Sequence, residues 1–156
     1  MAKLSVGDLA PDFENPWTGE GDFRLSSRRG RWVVLAFYPG DETRVCTRQL
    51  CEYRDNSGSL EALDAEIVGI SPQGVDSHES FIANHGLSIP LVADKGAEVA
   101  RAYGIMAGPL LRRAIFIVDP EGRIAHSDVK RLGLSFTGSD GIAEALAVAR
   151  AAADPA

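Results

Sequence analysis

The stretch RWVVLAFY, Arg31 to Tyr38, most limits what this chain can fold into. It is a continuous apolar run rich in β-branched and aromatic residues, with no polar alternation. Such a run must be covered on both faces, so it reads as a buried central strand. AEIVGIS (Ala65 to Ser71) and AIFIVD (Ala114 to Asp119) read the same way. The last is followed by PEG and then RIAHSDV, a hairpin signal. Helical patterns lie between the strands. One starts near Thr43 and runs toward Gly58. DSHESFIANHG is a second, with Asp76 or Ser77 as N-cap and Gly86 as stop. KGAEVARAYG is a third, ending at Gly104, and a fourth starts near Asp140 and fills the alanine-rich tail IAEALAVARAAADPA. Strands alternate with helices first, and a hairpin and a helix close the chain. This order, β-α-β-α-β-β-α, predicts an α/β fold: a central mixed sheet, part parallel and part antiparallel, flanked by helices on both faces.

The same order of elements is found in thioredoxin-like folds. The 156 residues suit one domain over 1–156, with no internal repeat and no linker. The net charge of -6, without a basic block, argues against nucleic acid as a partner. The start, MAKLSVGDLAPDF, has no apolar stretch of signal-peptide length, and no run approaches the roughly 20 apolar residues of a membrane span. The expected compartment is the cytoplasm, where thiols are kept reduced. No cofactor is called for.

Against that background, FYPGDETRVCTRQLC holds both cysteines of the chain, Cys46 and Cys51. Pro39-Gly40-Asp41 breaks the first strand. Thr43 is then a good N-cap, and Cys46 falls three residues later. That is the spacing of a capping box with a cysteine where Glu or Gln normally sits. First-turn N–H groups lack intrahelical partners and the helix dipole adds positive potential there, an environment that favours a thiolate. Cys46 is therefore expected to be a reactive thiolate rather than a small buried hydrophobe. A zinc site normally wants C-x-x-C and four ligands. Here the spacing is x4 and His78, His85 and His126 are scattered, so no metal site is expected. His78 and His85 read most simply as surface residues. A redox pair is the better reading.

These residues resemble a peroxiredoxin, of the Q-type or bacterioferritin-comigratory subfamily. The pattern F-Y-P-x-D-x-T-x-x-C-T-x-x-x-C is met by Phe37, Tyr38, Pro39, Asp41, Thr43, Cys46, Thr47 and Cys51. VGDLAPDF, VGISPQGVDSHESFIANHGLSIPLVAD and RRAIFIVDPEGRI extend the likeness over roughly Leu4 to Leu146. The resemblance implies that Cys46 attacks the peroxide O–O bond and that the Thr43 hydroxyl contacts thiolate and peroxide. It implies that Pro39 shields the thiolate from water and that Arg113 steadies thiolate and transition state. Cys51 resembles the resolving cysteine. Arg112 is adjacent to Arg113, but would point to the other side of a strand. Two positions depart from the family pattern: Arg44-Val45 replaces the usual Pro-Gly, and Gln49 stands where Glu is frequent. The implied activity is reduction of hydrogen peroxide and organic hydroperoxides, with recycling by a thioredoxin-like or other thiol reductant, in a monomer or weak homodimer.

Two other classes stay open. A disulfide oxidoreductase would need C-x-x-C at the helix start, which is absent. A redox sensor would use the same cysteine chemistry once and stop. The Q-type reading also carries a geometric demand. In an α-helix, five residues leave two side chains about 140° apart with Cα atoms about 8.7 Å apart. A disulfide tolerates about 4.4–6.8 Å. The helix must unwind before Cys51 can reach Cys46.

Overall fold

The computed structural model describes residues 4–130 and 135–153. A short hairpin, β1 (Glu14–Pro16) and β2 (Asp22–Arg24), precedes the central strand β3 (Val33–Phe37). The chain continues through α1 (Arg44–Asp55), α2 (Ser57–Glu61), β4 (Glu66–Ser71), α3 (Val75–His85), β5 (Leu91–Ala93) and α4 (Glu98–Ala102). The two-residue strands β6 (Met106–Ala107) and β7 (Leu110–Leu111) lead into β8 (Ala114–Val118), β9 (Ile124–Val129) and α5 (Ser139–Ala153).

The main sheet has the order β5-β4-β3-β8-β9. β3 pairs in parallel with β4 and antiparallel with β8, so the central strand is where the sheet changes sense. This is the mixed sheet that the element order predicts. Alternate residues of β3 go to opposite faces. Val33, Leu35 and Phe37 meet the β1–β2 hairpin and α4 through Phe23, Leu25, Val99 and Tyr103. Val34, Ala36 and Tyr38 meet α1, α3 and α5 through Cys46, Leu50, Tyr53, Phe81, Ile142 and Leu146. Each fully buried large apolar side chain is worth roughly 1.5–3 kcal/mol, so Leu50 and Tyr53 hold α1 firmly against the sheet.

Three local expectations change. β5 was not foreseen: it is three residues long, follows Pro90, and forms a sheet edge. The α3 N-cap is Gly74 rather than Asp76 or Ser77. The Ser77 hydroxyl donates to Asp41 instead of serving its own helix, and Asp76 sits inside the first turn, where a negative charge suits the dipole. The first helix ends at Asp55, and Asn56 separates it from α2 before Gly58 is reached. Gly86 ends α3 in the left-handed conformation, φ 60°, which a Cβ would disfavour. The tail helix is described to Ala153; Asp154, Pro155 and Ala156 lie outside the described residues.

Candidate active site

Tyr38 follows the last residue of β3, where the chain leaves the sheet beside β4. Gly69 of β4 makes room for its ring: a Cβ there would stand 3.1 Å from Tyr38 Cε1 and 2.7 Å from Leu91 Cδ2. The loop 39–43 then turns into α1, with Thr43 as N-cap in extended conformation (φ -76°, ψ 154°) and Cys46 in the first turn. Cys46 is fully buried. Arg113, immediately before β8, reaches it across the antiparallel β3–β8 pair: Nη1 donates to Cys46 Sγ at 2.9 Å and to Gln49 Oε1 at 3.0 Å. Gln49 Nε2 donates to the Tyr53 hydroxyl at 2.9 Å, which donates to the Thr137 carbonyl at 2.7 Å. Residues one turn apart on α1 thus form a rail that carries Arg113. Arg112, by contrast, is exposed, as the alternation of an extended chain requires.

The capping box is not made. The Thr43 hydroxyl donates to the Gly40 carbonyl at 2.8 Å, and no side chain caps the start of α1. The first turn of α1 also holds no acid, whereas α3, α4 and α5 carry Asp76, Glu98 and Asp140 there. The positive end of α1 therefore has no carboxylate in its own first turn, where Cys46 lies. Pro39 is half-buried at the start of the loop. Glu42 takes a left-handed conformation, φ 61°, unusual for a residue with a Cβ. Its carboxylate is held from α3, by Asn84 Nδ2 at 2.8 Å and by His85 Nε2 at 2.7 Å.

Cys51 is half-buried on the same unbroken helix, and both cysteines are free. Just beyond it, Glu52 fastens α1 to the start of α5. Its carboxylate accepts from the Ser139 amide at 2.5 Å and the Ser139 hydroxyl at 2.7 Å. The site-bearing helix is therefore gripped at both ends, by Arg113 near Cys46 and by Ser139 near Cys51.

Residues 6–127 match the model of the AhpC/TSA family. The chain belongs to that family. It is thereby a peroxiredoxin, a thiol-dependent peroxidase. Peroxiredoxin Bcp of Bacillus subtilis is 33% identical over 129 residues, 78% of this chain and 82% of the relative. Among solved structures, peroxidoxin BcpB of Mycobacterium tuberculosis superposes with a TM-score of 0.79 at 28% identity, over 95% of this chain and 97% of that one. The bacterioferritin comigratory protein of Xanthomonas campestris, described for its alkyl peroxide reduction activity, gives 0.79 at 26% identity, over 96% of this chain and 100% of that one. The thioredoxin-like fold and the Q-type, Bcp-like affiliation follow.

Within this peroxiredoxin, a second polar cluster escaped sequence reasoning. His78 is fully buried on α3, against the expectation of a surface residue; Nδ1 lies 2.7 Å from Asp41 Oδ2 and Nε2 3.0 Å from the Val92 carbonyl. Asp41 also accepts from the Tyr38 hydroxyl and the Ser77 hydroxyl, each at 2.7 Å. Gln73 Oε1 accepts from the Asp41 amide at 3.0 Å and from the Ser71 hydroxyl at 2.6 Å. Burial pushes the Tyr38 phenol far upward, with the Asp41 carboxylate adding to it, so Tyr38 remains a donor. His85 is half-buried and binds Glu42. Among the described residues no group of three or more His, Cys, Asp or Glu is placed to hold a metal ion, and no helix is long and apolar enough to cross a membrane.

Proposed function

We propose that this peroxiredoxin reduces hydrogen peroxide and organic hydroperoxides with Cys46 as nucleophile, resolves the product with Cys51, and is recycled by a thioredoxin-like reductant. The contact of Arg113 Nη1 with Cys46 Sγ at 2.9 Å, inside a buried site, carries this reading. The Cys46 thiolate attacks one peroxide oxygen as the O–O bond breaks. Sulfur becomes a sulfenic acid, and the departing oxygen takes a proton and leaves as water or an alcohol. The Cys51 thiol then displaces that hydroxyl as water and forms a disulfide. A dithiol reductant returns both cysteines to thiols by exchange. Such a cycle belongs in a reducing compartment such as the cytoplasm.

Thiolate formation alone does not supply the rate. For any thiol, lowering the pKa from 8.5 to about 6 raises the thiolate fraction at pH 7 roughly 30-fold. With a Brønsted slope of about 0.4–0.5, nucleophilicity falls by roughly 13-fold, so the net gain is about two-fold. The larger share comes from aligning the peroxide and stabilising charge as the O–O bond breaks. Arg113 and the open amides of the first α1 turn are the donors for that charge. The Thr43 hydroxyl hydrogen is committed to Gly40, so its oxygen is available to accept from the peroxide O–H. Pro39 shields the site from water. Alkyl peroxide reduction by the Xanthomonas relative supports the organic substrate class.

A peroxide-consumption assay with a thiol recycling system tests the reading. The wild type is expected to turn over many times, and Cys46→Ser to stop while remaining folded. Substantial turnover in Cys46→Ser contradicts the assignment, and a single turnover in the wild type would make the protein a sensor.

A further inference from the structure

The buried His78 ring has no task in the chemistry above, yet both of its nitrogens face acceptors. Nε2 stands 3.0 Å from the Val92 carbonyl of β5. A carbonyl has no hydrogen to give, so Nε2 carries the hydrogen of that contact. Nδ1 stands 2.7 Å from Asp41 Oδ2, in the loop between β3 and α1. A neutral ring protonated at Nε2 turns a lone pair toward that oxygen, and such a contact requires Asp41 to be a protonated acid. The surroundings of Asp41 oppose this. The Tyr38 hydroxyl donates to Oδ1 and the Ser77 hydroxyl to Oδ2, each at 2.7 Å. Donors aimed at a carboxyl favour its ionised form. Burial pushes the Asp41 carboxyl upward, but the hydrogen bonds from His78, Tyr38 and Ser77 outweigh it and hold the group below its ordinary range.

We propose that His78 is an imidazolium ion paired with the Asp41 carboxylate, and that this buried pair is the positioning element that fixes the 40–43 loop at the start of α1. The charged ring joins three pieces of structure: α3 by its own backbone, β5 through Val92 and the loop through Asp41. Asp41 holds the loop in turn, because its amide is tied to Gln73 and its carboxylate to Tyr38 and Ser77. Gly40, which receives the Thr43 hydroxyl, is the neighbouring residue. The pair touches no substrate; it acts through the position of Thr43 and the first turn. Its effect on rate rests on the peroxidase reading, whereas its charge state does not.

The test is nitrogen NMR of the reduced, 15N-labelled full chain at pH 7, with the His78 signal identified by its loss in His78→Gln. Both ring nitrogens are expected to show the protonated signature. In Asp41→Asn the amide can donate to Nδ1, so the contact survives while the ring becomes neutral; the signal should move to the Nε2-protonated tautomer. Peroxide reaction in Asp41→Asn should slow by about ten-fold or more, in a protein that urea unfolding shows to be folded. A neutral His78 ring in the wild type overturns the proposal. So does an Asp41→Asn protein that has lost the ring charge but keeps the wild-type rate. A wild type that consumes no peroxide contradicts the functional reading, and the ring signal then still decides the ion pair.

Discussion

Two helices in this molecule begin in opposite ways. At α4 the Asp94 carboxylate, itself buried, accepts from the Val99 amide and from the Ala100 amide, each at 3.0 Å. At α1 the N-cap is Thr43, its hydroxyl is turned to Gly40, and the first turn has neither a side-chain cap nor an acid. The donors that α4 satisfies with a carboxylate meet no side-chain acceptor at α1, where the proposed mechanism gives them the sulfur and the charge that develops on it. An ordinary helix start lowers the energy of the folded chain by pairing its amides. At α1 that pairing is absent, and the Arg113 guanidinium adds a donor at the Cys46 sulfur. On the proposed mechanism, the contrast separates a polar group that serves the fold from polar groups that serve a reaction.

The contrast can be broken most forcefully at α1. Arg113→Ala should remove on the order of 2–4 kcal/mol from the transition state, by analogy with loss of one oxyanion donor, and Thr43→Val, which removes the acceptor proposed to align the peroxide O–H, should cost a similar amount. Stopped-flow measurement of sulfenic acid formation should then show a slowing of about 30-fold or more. A change below about three-fold would take that residue out of the machinery.

The opposite experiment belongs at α4. Asp94→Ala leaves two amides of the first turn without their acceptor and should lower folding stability by about 1–3 kcal/mol in urea unfolding. Its peroxide rate under native conditions should stay within about two-fold of wild type. A slowed reaction with unchanged stability would reverse the assignment of the two helix starts.

How much of this was legible in the sequence follows from where each signal lies. β3, β4 and β8 could be read because each is a long apolar run covered on both faces. β5, β6 and β7 have two or three residues each, too short for periodicity, and exist because a neighbouring strand supplies their hydrogen bonds. Cys46 stood out through local pattern, a cysteine in a helix's first turn, whereas Arg113 was reached through the family resemblance, with the alternation of an extended chain choosing it over Arg112. Thr43 was placed correctly as N-cap, but spacing could not show that its hydroxyl would choose Gly40 over the helix. His78 was misread because its neighbours in sequence, Asp76, Ser77, Glu79 and Ser80, are polar. Its buried ring is partnered by Asp41, 37 residues away, and by the Val92 carbonyl, and sequence periodicity carries no record of either.

A smaller effect sharpens the picture at the loop itself. Glu42 precedes the open start of α1, yet its carboxylate is directed to α3. Hydrogen bonds from Asn84 and then His85 hold it below its ordinary value of 4.5. A carboxyl lowered on folding adds stability above its unfolded pKa and loses it as pH falls through the folded one. The stability advantage of wild type over Glu42→Gln should therefore be present at about pH 7 and shrink progressively below about pH 4.5 in urea titrations. Because the group is largely exposed, this should be the smallest of these effects, and an advantage that grows on acidification would contradict the tether.

In the proposed cycle Cys46 reacts in a formed helix and is resolved only when that helix opens. The direct measurement is mass spectrometry with amide hydrogen exchange on reduced protein given one equivalent of peroxide. The expected result is an intramolecular Cys46–Cys51 disulfide together with loss of protection across roughly residues 44–54. An oxidised protein with a free Cys51 and a still-protected α1 would contradict it, and would make this a one-cysteine enzyme resolved by an outside thiol.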